Sequence, residues 1–415
     1  MVNLVGNIVN DSNSVYRISE RVSKNITLGN WRKFLGKHRI NTEYKNSKYY
    51  ANKDIVSFIN DKVVEGTIES KDLNEFLPKY LSFGRHKSVF LYSFDKEFNN
   101  SKVNILSLLN NKFNINSLEY NESARVIYYY KEEEEQDIIY SKILKESEEK
   151  ILRLRLIITQ KVRYNERNKV TNKFEEKFEH SYFPIDIDFE KRQFIIKAIN
   201  KEYINIKKYK PQNLAKSIAQ LIANILNLKF VICRNTNQEL LYKMSKKLLD
   251  DIIREKGKAG LEELDSEILK LSQETRSKVS RKLNIDEKNK AISIENISYE
   301  IRSVIENIVL PLILIDTKSI EGLISYIKFR DKTAVNAVLK SQRRSDTLLD
   351  SKSYLNLRRS LNESKYAEKI RVLWNNNEVS LYYDARDEEC MEMHFYKELF
   401  EGDLDNEIKR FNRFR

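Results

Sequence analysis

The chain has 415 residues, a formal charge of +13, 41% hydrophobic residues and 33% charged residues. That length fits two or three domains of ~150 residues, with enough chain to bury a sizeable core without covalent staples. Its two cysteines, Cys233 and Cys390, are far apart and carry no metal-ligand spacing, which argues against a disulfide framework and for a reducing compartment.

Met1 to Asn10 shows no basic region followed by an apolar run, and no apolar stretch reaches the ~18 residues of a spanning helix. The expectation is a cytoplasmic protein with no membrane partner. The surplus of lysine and arginine attracts polyanions, so nucleic acid is the first partner to consider. Acids are mixed with the cations nearly everywhere, which is the pattern of an ordinary solvated surface and weakens that case.

In chain order, residues 1–121 read as a small α/β unit. Trp31 to Arg39 is a basic-aromatic cluster. Helical spacing joins Ile55, Ile59 and Val63, then Leu73, Phe76, Leu77 and Leu81; Ser88 to Phe94 reads as a buried strand. Residues 122–235 read as an antiparallel meander plus a helix. Val126–Tyr130 and Ile138–Tyr140 flank an acidic tip, Glu132 to Glu135, and a long strand runs from Ile151 to Tyr164.

That strand alternates Leu154, Leu156, Ile158 and Val162 with Arg153, Arg155, Lys161 and Arg163, predicting an apolar face and a basic one. A returning strand passes through Phe174, Phe178 and Tyr182, and a hairpin follows from Phe183 to Lys197. Short connections favour antiparallel pairing, because parallel crossovers need a dozen or more residues. Pro211 opens a helix with the stripe Leu214, Ile218 and Ile222, and Phe230–Cys233 reads as a strand.

Residues 236–318 read as a helical segment, broken at Gly257 and Gly260 and closed by a helix from Ile294 to Val309. Residues 319–415 read as a second α+β unit. Its hairpins are Leu323–Phe329 with Ala334–Leu339, and Ile370–Trp374 with Val379–Tyr383. A short helix spans Ser351 to Leu361, and Phe395 to Arg415 reads as a helical tail. The predicted fold class is α+β.

No phosphate loop, dinucleotide-binding glycine pattern, His-Glu-x-x-His or Gly-x-Ser-x-Gly elbow occurs, and the chain holds only 9 glycines. No cofactor is expected. Two acidic clusters could hold a divalent cation for phosphodiester hydrolysis: Asp186, Asp188 and Glu190 with Lys197, and Asp384, Asp387, Glu388, Glu389 and Glu392 with Lys397. Turn chemistry explains the first without a metal, and neither is taken as a metal site.

Arginine suits phosphate contact through its planar fork. The candidate nucleic-acid-binding residues are Arg153, Arg155, Lys161, Arg163, Arg343, Arg344, Arg358, Arg359 and Arg371. The leading expectation is a non-enzymatic nucleic-acid-binding subunit of a larger cytoplasmic assembly. DNA is favoured over RNA, other protein subunits are its companions, and prokaryotic genome defence is a setting that suits the composition. The alternatives are a metal-dependent nuclease using Asp186/Asp188 or Asp384/Asp387, and a protein-interaction scaffold.

Overall fold

The computed structural model describes residues 25–40, 52–83, 87–95, 98–121, 123, 136–168, 171–201, 203–257, 262–286, 289–309, 320–331, 335–341, 347–350, 352–375, 379–397 and 399–414. The fold is α+β with antiparallel strands. The chain divides into two compact units, Met1–Val231 with Glu398–Phe400 and Ile232–Lys397 with Glu401–Arg415. The first two expected segments thus fall almost wholly in one unit and the last two in the other.

The first unit opens with α1 (Leu28–Lys37), α2 (Asn52–Val64) and α3 (Ser70–Ser82). Strand β1 (Lys87–Ser93), α4 (Lys102–Phe113) and the two-residue β2 (Tyr120–Asn121) follow. Then come the meander strands β3 (Gln136–Ser147), β4 (Lys150–Arg167), β5 (Phe174–Asp188) and β6 (Gln193–Ile199), and helix α5 (Pro211–Ile225). Strand order is β2-β3-β4-β5-β6-β1, every neighbour antiparallel.

The alternation in β4 decides how this unit packs. On one face, Leu154, Leu156, Ile158 and Val162 are buried, as the pattern demands. The other face is not uniformly basic. Ile157, with Ile139 and Tyr182 from the adjoining strands, joins a core cluster with Trp31, Phe34, Ile59, Leu73 and Leu77 of α1 to α3. The basic-aromatic run from Trp31 is therefore an amphipathic helix whose apolar side covers this face.

Charges within the body of the sheet are locked in pairs. Arg155 lies directly opposite Asp186, and Arg153 directly opposite Asp188. Arg155 Nε donates to Asp186 Oδ1 at 2.5 Å, and Lys197 Nζ to its Oδ2 at 2.8 Å. Lys197 is wholly buried, its ammonium 4.3 Å from the centre of the Phe83 ring. Burial by itself would raise the pKa of Asp186, but the charges of Lys197 and Arg155 and their hydrogen bonds hold it well below the usual carboxylate range. Pro184 sits just beyond the last β5–β6 pair, Ile185 with Ile196, where it interrupts no bond of that ladder.

The second unit contains α6 (Arg234–Gly257), α7 (Asp265–Leu283), α8 (Ile294–Val309), β7 (Gly322–Arg330), β8 (Asn336–Lys340) and α9 (Lys352–Ser364). It continues with β9 (Lys369–Trp374), β10 (Val379–Asp384), β11 (Cys390–Phe395) and α10 (Glu401–Asn412). Its strands run β11-β10-β9-β7-β8. Gly322 sits opposite Trp374, and a Cβ there would lie 2.8 Å from the indole ring.

Two expectations need correction. Of Phe230–Cys233, only Phe230 forms a bridge, to Phe94, and α6 begins at Arg234. The tail is helical only from Glu401, because Cys390–Phe395 is a strand whose Cys390, Met393 and Phe395 are buried. Its apolar alternation was masked by the acids that precede it. The predicted strand Val126–Tyr130 and the tip Glu132 to Glu135 lie outside the described residues.

Replacing Asp186 with alanine leaves Lys197 buried beside Arg155 with no carboxylate, so stability in urea should fall by about 3 to 5 kcal/mol. The folded pKa of Asp186 is depressed, so its contribution is full above about pH 4 and is lost as pH falls toward the folded value. The gap between wild type and Asp186→Asn in urea denaturation should therefore close on acidification below about pH 4.

Candidate nucleic-acid interface

Among the described residues, strands β4 and β5 outrun their neighbours. β4 pairs with β3 only from Lys150 to Gln160, and β5 with β6 only from Ile185 to Asp188. The β4–β5 ladder itself continues to Arg167 opposite Phe174. Residues 161–167 and 174–180 thus form a two-stranded arm, with Asn168 and Asn172 at its end. There the Asn168 N–H donates to Lys173 O at 2.8 Å, and Asn172 takes a positive φ of 59°.

Register sorts the arm into two unlike faces. One carries Lys161 opposite His180, Arg163 opposite Phe178, Asn165 opposite Glu176 and Arg167 opposite Phe174. Phe174 is 72% exposed and Phe178 45% exposed. Lys161 Nζ lies 4.6 Å from the centre of the Phe178 ring, a cation–π distance. Arg163 Nη1 donates to Glu176 at 2.7 Å. Among the described residues of the two strands, this face carries three cations, two exposed aromatic rings and the carboxylate of Glu176.

The opposite face is braced. Glu179 is buried and bonded to the Lys201 ammonium, and the Tyr203 hydroxyl donates to it at 2.7 Å. Desolvation and the Glu179 charge push the Tyr203 hydroxyl pKa up. Asn205 bonds to the β4 backbone: its Oδ1 accepts the Asn165 N–H at 3.1 Å and its Nδ2 donates to Asn165 O at 2.9 Å. An edge occupied in this way is held in shape and shielded from pairing with other chains.

The sequence-predicted residues separate accordingly. Lys161 and Arg163 lie together on the open face of the arm, while Arg153 and Arg155 lie in the body of the sheet against Asp188 and Asp186, at 3.7 Å and 2.5 Å. Arg358 and Arg359 belong to the other unit. Arg358 bonds Glu306 at 2.5 Å, and Arg359 bonds Glu300 and Glu363. Arg371 is 3% exposed and donates to Ser325 Oγ, Ser325 O and the Tyr382 hydroxyl. Arg343 and Arg344 lie outside the described residues.

Arg167, Phe174 and Phe178 were not singled out as contact residues by sequence reasoning. Their signal was present in part: phenylalanines four apart on a strand share a face, and the Arg-x-Arg and Asp-x-Asp pairs at its base fix the register. Of the neighbouring acids Glu175, Glu176 and Glu179, Glu176 lies on this face and pairs with Arg163, while Glu175 and Glu179 alternate to the other side. Among the described residues no group of histidines, cysteines and acids could hold a metal ion. Asp384 is likewise taken, by Arg386 at 2.6 Å and Lys369 at 3.4 Å.

Phe174 makes little contact within the fold, so Phe174→Ala should change stability in urea by no more than about 0.5 kcal/mol. No protein-family model matches the sequence, and no curated protein matches it.

Proposed function

We propose that the protein binds nucleic acid without cutting it, laying a single strand along the open face of the β4–β5 arm. The observation that carries this reading is the pair of exposed rings, Phe174 and Phe178, flanked by Lys161, Arg163 and Arg167 on one strand face. Every base offers a π-face, so exposed aromatics bind single strands with little regard to sequence while cations follow the phosphates. The brace from Lys201, Tyr203 and Asn205 lowers the ordering cost of binding.

Binding is favoured over metal-dependent cleavage because Asp186 and Asp384 each already serve two cations, which a metal would have to displace. A protein partner is supported by α7 and α8, which pack together through Ser272 with Ser298 and leave Leu269, Leu271, Leu283, Val304 and Ile308 exposed. No helix among the described residues is long and apolar enough to cross a membrane.

Fluorescence anisotropy with a labelled single-stranded DNA, at two salt concentrations and with or without Mg²⁺, tests the proposal. Binding should weaken with salt, with a logarithmic slope of roughly −2 for three phosphate contacts at about −0.7 each. Phe174→Ala and Phe178→Ala should each cost about 1 to 3 kcal/mol of affinity. Absence of binding at low salt, or indifference to both substitutions, contradicts it; cleavage that requires Mg²⁺ favours the nuclease reading.

A further inference from the structure

The second unit holds a cleft of about 620 Å³, within the ~300–1,000 Å³ usual for small-ligand sites. Four cations line it: Arg234 from the start of α6, Lys328 and Arg330 from β7, and Arg386 from the loop after β10. From the geometry of these groups we infer that the cleft is a binding site for a nucleoside phosphate, with the phosphate held between Arg330 and Arg386.

Two carboxylates, Glu368 in the lining and Asp384 beside it, arrange the cations. Glu368, 12% exposed, is shared by Lys328 at 2.8 Å and Arg330 at 3.8 Å. Asp384, 10% exposed, is shared by Arg386 and by Lys369. Arg234 pairs with Glu388 at 3.3 Å, so with Asp331 four carboxylates stand against the five cations Arg234, Lys328, Arg330, Lys369 and Arg386 among the described residues. Burial would raise the pKa of Asp384, but Arg386 and Lys369 lower it, keeping the carboxylate ionised. Asp331 also lines the cleft, and it accepts the backbone N–H of Val335 at 2.8 Å.

Arg386 is the best prepared of the four. Its Nε and Nη2 grip Asp384 at 2.8 Å and 2.6 Å, which fixes the guanidinium plane and leaves Nη1 for a second acceptor. The Arg386 and Arg330 side chains are 53% and 59% exposed, and among the described residues the one ion-pair contact of Arg330 is the long one to Glu368. Two solvent-facing guanidiniums above buried carboxylates suit a multiply charged phosphate.

The walls are tied together by backbone bonds from Ala367 to Gln238, Glu368 to Lys328 and Ala385 to Glu368, at 3.1, 2.8 and 2.8 Å. Tyr366, 38% exposed, and the amide of Asn235 complete the lining and supply the stacking and hydrogen-bonding chemistry a base needs. No glycine-rich loop is required, because side chains take the place of the backbone cradle.

Isothermal titration calorimetry of the full chain with ADP at low salt tests this site, with adenosine as the phosphate-free probe. ADP should bind with one-to-one stoichiometry and adenosine at least tenfold more weakly. Arg330→Gln and Arg386→Lys should each weaken ADP at least tenfold, the second because lysine keeps the charge and loses the planar fork. Arg330→Gln lies at an exposed position and keeps the test valid if Arg386→Lys unfolds. Phe178→Ala should leave ADP binding unchanged, so the result stands apart from the arm. No saturable ADP binding, ADP binding indifferent to Arg330→Gln, or equal binding of adenosine would overturn the inference.

Discussion

The first unit depends on one constraint, the register between β4 and β5 set by Arg155, Asp186 and Lys197. Side chains alternate across a strand, so a slip of one residue would carry Asp186 to the wrong face and strand the buried Lys197 ammonium without a carboxylate. A buried ion pair often adds little net stability compared with apolar packing, yet breaking it is costly, which makes it effective at excluding alternative pairings. Arg153 opposite Asp188 repeats the same choice one pleat away.

With that register fixed, a single strand face changes its role along its length. Near Ile157 and Tyr182 it is core, covered by α1 to α3. Beyond His180 the same alternation carries Lys161, Phe178, Arg163, Phe174 and Arg167, of which both rings and Arg167 are exposed. The reverse side meets a different environment: Glu179 is sequestered by Lys201 and Tyr203, and Asn205 bonds to the backbone of Asn165. The arm is therefore a continuation of the sheet, held from behind, with exposed rings in front.

Much of this was legible in the amino-acid order. The period-two pattern of Ile151 to Tyr164, the helix opened by Pro211 and the helix from Ile294 to Val309 rest on local periodicity, which tertiary packing did not override. Strand β11 was hidden because its apolar alternation follows a run of acids. The roles of individual arginines were less legible, since a charge pattern does not name its partner. Arg358 and Arg371 look alike in sequence, yet one meets Glu306 on α8 and the other is buried against Ser325 and Tyr382. The cleft of Arg234, Arg330 and Arg386 joins segments far apart in the chain, and such a grouping leaves no mark on spacing.

Hydrogen–deuterium exchange of the full chain, with and without a saturating single-stranded oligonucleotide, tests most directly whether the arm is the contact surface. Backbone amides at 161–167 and 174–180 should exchange more slowly in the complex, while those of β7, β9 and β10 keep their rates. Protection confined to other segments, with the arm unchanged under conditions where the oligonucleotide is bound, would contradict the assignment of this face.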